Sequence, residues 1–294
     1  MSVPGVSVVV PTRDRPRQLG ECLEALRRLD YPRERLQVIV VDDGGTADLG
    51  PTGDALLLRH ERSAGPGAAR NTGAAAADGE LLAFTDDDCL PDRRWLLELT
   101  AAAAHGAAAG GRTVNALGSN PYAQASQHIQ DLVYAHFNAR PEAARFLASN
   151  NLALPRDAFL ELGGFDAERF PAASEDRDLC DRWLASGRTL HYAPGAVVNH
   201  AHELDLAGFV RQHVAYGRGA ARYQRARAER RSGRLRDDAA FHLDAALWRR
   251  TLALRPARRA AGMALLLGVW QAANLLGYGS ERVSGLKRAA RGTE

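Results

Sequence analysis

The sequence predicts an α/β fold, a mostly parallel sheet flanked by helices, followed by a helical C-terminal extension. Three observations carry this. Short apolar runs alternate with amphipathic stretches through the first third of the chain, the repetition that builds a parallel sheet with helices on both faces. Two acidic clusters, Asp42-Asp43 and Asp86-Asp87-Asp88, each follow one of those apolar runs. From about residue 206 onward the chain reads as helix, with a break near Ser232-Gly233.

The elements follow in order. Residues 6–10 form a continuous apolar run, as expected of a strand buried on both faces. Over 16–29, Leu19, Cys22, Leu23, Leu26 and Leu29 recur at helical spacing and make one apolar stripe. Residues 37–41 are a second buried strand, and 55–58 a short third one. Pro66 can open a helix that the Ala-rich run to 77 favours. Residues 80–84 form another strand, and Asp92 is placed to cap a helix running through His105. Periodicity weakens over 110–205, where Ser174-Glu175-Asp176 opens a helix that runs to Ser186. There are no internal repeats.

Length and composition bound the function. A chain of 294 residues is one large domain or roughly two. With 46% hydrophobic and 25% charged residues, it is neither disordered nor collagen-like. Cys22, Cys89 and Cys180 are odd in number and far apart, which fits a reducing compartment. The N-terminus lacks the basic segment and apolar core of a signal peptide, so a cytoplasmic protein is expected. The net charge of +3 conceals an asymmetry. Residues 211–236 carry nine Arg against Glu229 alone, a local charge of +8 that leaves −5 for the rest. Such a block suits an anionic membrane surface, a phosphorylated acceptor or nucleic acid, or is simply a solvated Arg-rich helix. The most apolar stretch, 260–278, is interrupted by Gln271 and Asn274 and falls short of a clear spanning helix.

In open α/β sheets ligands bind beyond the carboxyl ends of the strands, where both acidic clusters lie. Asp86-Asp87-Asp88 repel one another unless a cation binds, and Mg²⁺ or Mn²⁺ prefers a few carboxylates plus substrate phosphates. The same triplet also reads as an acidic turn. Asp42-Asp43-Gly44-Gly45 can present a carboxylate to a base or ribose, or form a plain Asp-Gly turn. Arg70, in a helix opening on Gly65-Pro66-Gly67, offers a donor fork to phosphate. Asp176 is a general base or an ordinary helix-start acid. His200 and His202 compete as a metal ligand at a strand end.

Six strings appear in an order that resembles glycosyltransferase family 2. They are VSVVVPTRDRPRQLGECLEAL, LQVIVVDDGG, GPGAARNTGAAAADGELLAFTDDDC, NNLALPRDAFLELGGFD, SEDRDLCDRW and VVNH, spanning about residues 5–205. The resemblance implies a GT-A, Rossmann-like fold and a nucleoside-diphosphate sugar donor, with a UDP-sugar favoured. It implies three parts: a nucleotide-sugar-binding half at 1–115, an acceptor-binding half at 116–205 and an extension at 206–294. By matching position, Pro11, Thr12, Asp14, Asp42, Asp43, Arg70, Asp86 and Asp87 resemble nucleotide-binding residues. Asp86 and Asp88, with His200, resemble the cation site for Mg²⁺ or Mn²⁺. Asp176 resembles the catalytic base, and Asn150, Asn151, Glu175 and Trp183 fall on the acceptor side. Trp183 replaces the smaller or basic residue expected there, so it is expected to reshape that side. The chain lacks the QxxRW motif of processive members, so single sugar addition with inversion is expected.

The expected acceptor is a glycan, a lipid-linked molecule or a small metabolite, and nucleic acid is not expected as a partner. The extension is expected to seat the protein peripherally on the cytoplasmic face of a membrane, or to pack as a homodimer. Two other classes compete. A sugar nucleotidyltransferase needs a Gly-rich loop with Arg and Lys after the first strand, where this chain has Pro11-Thr-Arg-Asp-Arg-Pro16. A non-catalytic nucleotide-sugar binder is disfavoured because the base and cation positions all carry acids.

Overall fold

A computed structural model describes residues 3–233, 240–242 and 244–291. Its strands are β1 (Val6–Thr12), β2 (Leu36–Asp42), β3 (Leu56–Arg59), β4 (Leu81–Thr85), β5 (Cys89–Pro91), β6 (Ala108–Asn115), β7 (Asn151–Pro155) and β8 (Leu190–His200). They form one eight-stranded sheet in the order β3-β2-β1-β4-β7-β6-β8-β5. The pairings β1–β2, β1–β4, β2–β3 and β6–β8 are parallel. Those of β4 and β6 with β7, and of β5 with β8, are antiparallel.

The helices on this sheet are α1 (Pro16–Arg27), α2 (Pro66–Ala75) and α3 (Trp95–Ala102). Beyond α4 (Pro121–Phe137) come α5 (Arg156–Glu161) and α6 (Glu175–Ala185). Alternation along the strands sends side chains to two cores. Val6, Val8 and Val10 of β1 join Leu19, Leu23 and Leu26 of α1 and Trp95 and Leu99 of α3. Val9, with Leu82 and Phe84 of β4, joins Ala69 of α2, Phe159 of α5 and Leu179 of α6. The sheet is therefore covered on both faces, which explains why its strands read as unbroken apolar runs.

The chain divides into two compact units. One comprises 1–116 and 137–202, the other 117–136 and 203–294. The first holds the whole sheet. The second holds most of α4 with α7 (Leu206–Arg230), α8 (Ala245–Leu252) and α9 (Ala257–Arg291). Arg234 and Arg236, counted above in the basic block, lie outside the described residues.

One local expectation is corrected. Asp92 does not cap α3: Arg94 is the N-cap and makes no capping side-chain bond. The Asp92 carboxylate instead accepts from Asn199 Nδ2 at 2.7 Å, tying the start of the helix to β8. The weak periodicity over 110–205 also has a cause. β6 reads AAGGRTVN, a poor strand former by composition, and pairing with β7 and β8 sets its conformation.

Candidate active site

The carboxyl ends of β1 and β4, the end of β8 and the start of α6 supply one polar cluster. Thr12 Oγ1 donates to Asp87 Oδ2 at 2.7 Å. Arg15 Nη1 donates to Asp87 Oδ1 at 3.1 Å and to Asp88 Oδ2 at 3.2 Å. Asp88 Oδ1 meets His200 Nε2 at 3.1 Å. The β5–β8 pairing makes that contact by placing Cys89 opposite His200. Of the two competing histidines, His200 is thus the one whose ring nitrogen reaches Asp88; the His202 ring lies 5.0 Å from that of His200.

Arg70 is buried and links the two sides of the cluster. Its Nη2 donates to Asp86 Oδ1 at 2.6 Å and its Nη1 to Glu175 Oε1 at 3.1 Å. Its Nε is buried with no hydrogen-bond partner. The bridge ties the first residue of the acidic triplet to the residue beside Asp176. Asp176 is the second residue of α6, whose N-cap Ser174 adopts a left-handed φ of 72°. Its Oδ1 accepts from the Arg177 amide at 2.8 Å. Burial, with the Glu175 carboxylate beside it, raises its pKa to about 7.

The triplet is electrostatically uneven. Burial raises Asp87 to about 6, against the opposing pull of Arg15 and Thr12. Burial acts the same way on Asp88, but the hydrogen bond and charge of His200 outweigh it and lower that group to about 2. Asp88, Cys89 and His200 offer ligand atoms within 4.8 Å of one another. Burial, with Asp86 and Asp88 nearby, keeps the Cys89 thiol protonated. An oxygen-preferring cation therefore finds its donors in the carboxylates and the imidazole. The Arg15 guanidinium stands between Asp87 and Asp88, so a cation held by Asp88 and His200 would share Asp88 with it.

Other predicted residues have partners that define what they can do. Asp43 accepts from Ser63 Oγ (2.7 Å) and the amides of Ala64 and Gly65 (both 2.9 Å), and His60 Nδ1 lies 2.7 Å from it. It braces the loop entering α2. Asp43→Ala leaves these groups unmatched and should cost about 2–4 kcal/mol of stability, read from urea unfolding. A loss below about 1 kcal/mol would contradict the bracing role. The Asp42 carboxylate accepts from the Gly45 amide (2.9 Å), with Arg59 3.8 Å from its other oxygen. Asp14 Oδ1 accepts from the amides of Thr46 (2.7 Å) and Ala47 (2.9 Å), joining the loops after β1 and β2. Pro11 is a buried residue of β1.

On the expected acceptor side, Asn150 Oδ1 is buried with no hydrogen-bond partner. Asn151 faces inward: it accepts from Trp95 Nε1 (2.8 Å) and donates to the carbonyls of Arg112 (3.1 Å) and Ala196 (3.0 Å). It holds the β-bulge at Gly111/Arg112. Trp183 does not line an acceptor surface. It is 0% exposed among the apolar side chains of α5 and α6, with Nε1 bonded to the Thr189 carbonyl at 2.9 Å, because α6 turns that position into the core.

Sequence reasoning missed Arg15 and Asn71. An Arg three residues beyond Thr12, on the loop that faces the triplet, was the available signal for Arg15. Asn71 bonds both the amide and the carbonyl of Phe165, at 2.9 and 2.8 Å. Gly163 and Gly164 make that turn possible with φ values of 78° and 67°. Arg182 of α6 donates to the carbonyls of Leu162 and Gly164, so one turn fastens α2 to α6.

An eight-stranded sheet covered by helices on both faces, with an acidic triplet at the carboxyl end of β4, is the arrangement of the GT-A fold. The profile of glycosyl transferase family 2 matches residues 7–163, and the chain belongs to that family. The pre-mycofactocin glycosyltransferase of Mycobacterium tuberculosis (strain ATCC 25618 / H37Rv) is 34% identical over 228 residues, covering 74% of this chain and 47% of that protein. Glycosyltransferase AglE of Haloferax volcanii is 36% identical over 103 residues, covering 32% of this chain and 34% of that protein. The chain thus spans about half the length, or less, of these curated relatives. Among solved structures, the mannosyltransferase PcManGT from Pyrobaculum calidifontis, in complex with GDP-Man and Mn²⁺, superposes with a TM-score of 0.64 at 22% identity. That match covers 99% of this chain and 81% of the other. GalNAc-T7 with UDP, GalNAc and Mn²⁺ matches at a TM-score of 0.56 and 18% identity, over 69% of this chain and 44% of the other.

Proposed function

We propose that this chain transfers a sugar from a nucleoside-diphosphate sugar to an acceptor hydroxyl, with inversion at the anomeric carbon. The observation that carries this is the Arg70 bridge, which joins the acidic triplet to the helix start bearing Asp176. Asp176 takes the acceptor proton as the hydroxyl attacks. Its raised pKa suits a base near neutral pH. Asp43 and Asp14 hold the loops that wall the nucleoside side, and buried Asp42 fixes the Gly45 turn between them. Asp86, Asp88 and His200 would hold Mg²⁺ or Mn²⁺, which when bound offsets the charge of the departing diphosphate. Arg70 and Glu175 position the two acidic groups relative to one another. The orphaned Asn150 Oδ1 offers the acceptor a hydrogen-bond partner.

Two structural neighbours support the donor class, one in complex with GDP-Man and the other with UDP, both with Mn²⁺. A UDP-sugar is the first donor to try and GDP-mannose the second. The acceptor is a glycan, a lipid-linked molecule or a small metabolite. The test is incubation of the protein with UDP- and GDP-sugars, Mn²⁺ and a set of hydroxyl acceptors, following released nucleotide. Release of nucleoside diphosphate from one donor is the expected result. Pyrophosphate chemistry at the same site, with no diphosphate released, would instead mark a nucleotidyltransferase.

A further inference from the structure

The C-terminal unit contains a helix with two contrasting sides. Helix α9 packs along α7, with Trp270 against His213 and Gly277 against Val214, and Met263, Leu267, Trp270 and Gly277 are buried. The approach is close. A Cβ on Gly217 would lie 2.1 Å from the Asn274 carbonyl, and one on Gly277 2.1 Å from that of Val214. Arg222 pairs with Glu281 at 3.0 Å, and Glu281 is only 4% exposed. On the other side, Leu265 and Leu275 are 70% exposed, Leu276 69% and Val283 53%. The segment 257–285 contains the one helix among the described residues long and apolar enough to cross a membrane; its apolar window has mean hydropathy 1.4 and is 33% buried. Exposed Arg258 stands at one end of the apolar side and exposed Arg282 at the other, while Arg259 reaches Gln124 of α4.

We propose that this side of α9 seats the chain on a bilayer surface bearing anionic headgroups, lying in the plane of the interface. Helices with an apolar side and flanking Arg bind such surfaces by combined burial and charge attraction. Crossing the bilayer is disfavoured by the partner helix. α7 carries Arg211, Arg218, Arg222 and Arg225, and α9 is fastened to it by a buried ion pair. Drawing those guanidinium groups into hydrocarbon is costly. Self-pairing through α9 is disfavoured by charge. The only acid between 257 and 291 is Glu281, which is already paired, so an antiparallel copy would set Arg258 and Arg259 against Arg282. Anionic headgroups complement both ends.

The test is flotation of the full chain with vesicles of phosphatidylcholine, with and without phosphatidylglycerol, at low and high salt. Its readout does not depend on transferase activity. Binding is expected on the anionic vesicles and is expected to weaken with salt. The double substitution Leu275→Gln, Leu276→Gln should lower the bound fraction about ten-fold without changing the circular dichroism spectrum or Tm. Failure to float with anionic vesicles, or undiminished binding by the double variant, overturns the proposal. So does sedimentation of a dimer that the double variant dissociates, which would assign the face to a second copy.

Discussion

Asp176→Asn is expected to lower the transfer rate by about 10²–10⁴-fold, the usual contribution of a positioned general base. The amide keeps the shape of the side chain and can still accept from the Arg177 amide, so the start of α6 should stay intact. Nucleotide affinity should therefore change little. The pH profile gives an independent reading. Burial and Glu175 raise the Asp176 pKa to about 7, so the group is protonated and inactive as a base below that pH. Wild-type kcat/KM should climb with pH through about 7 and level off above it, and the Asn variant should lose this climb. Equal loss of nucleotide binding and turnover would instead make Asp176 a structural residue.

Asp88→Ala is expected to remove the response to Mn²⁺ and lower activity by about 10²–10³-fold, the scale of losing a group that stabilises developing charge. Asp88 is the carboxylate that meets both Arg15 and His200, so the substitution removes the carboxylate beside His200 and leaves Arg15 with Asp87. Asp86 keeps its bond to Arg70 and should hold the α6 side in place. The variant's residual activity should be the same with chelator as with Mn²⁺. An Asp88→Ala enzyme that still needs Mn²⁺, or a wild-type enzyme indifferent to chelator, would place the cation elsewhere or remove it from the reaction.

In the parallel half of the sheet, β1 and β4 were legible because they are buried on both faces and so carry no regular polar alternation. Val6–Val10 and Leu81–Phe84 announce themselves in this way. The other half was not, because β6 is built from Ala and Gly and owes its conformation to its neighbours. The acidic triplet could be located from its place after a strand, but its internal order could not. Asp87 is held by Thr12 and Arg15 because β1 lies beside β4, while Asp88 faces His200 through a β5–β8 pairing of residues more than a hundred positions apart. Asp42 and Asp43 look alike in sequence. They differ because adjacent residues leave the end of β2 in different directions, one to the Gly45 turn and the other to the loop before α2. Trp183 shows the opposite failure. With Leu179 and Cys180, four and three residues before it, Trp183 completes the buried stripe of α6, a helical spacing that the family match on the acceptor side obscured.

The central claim is that the Asp86–Asp88 edge binds a nucleoside diphosphate through a divalent cation. Thermal unfolding of the wild-type chain and of Asp88→Ala with UDP, GDP, dTDP and CMP, each with and without Mn²⁺, tests it most directly. Ligand at about 100 times its Kd adds about 2.7 kcal/mol of stability, which is readily visible as a rise in Tm. The account predicts that one diphosphate raises the wild-type Tm only with Mn²⁺ and leaves the Asp88→Ala Tm unchanged. A rise of equal size without Mn²⁺, or in the variant, would contradict it.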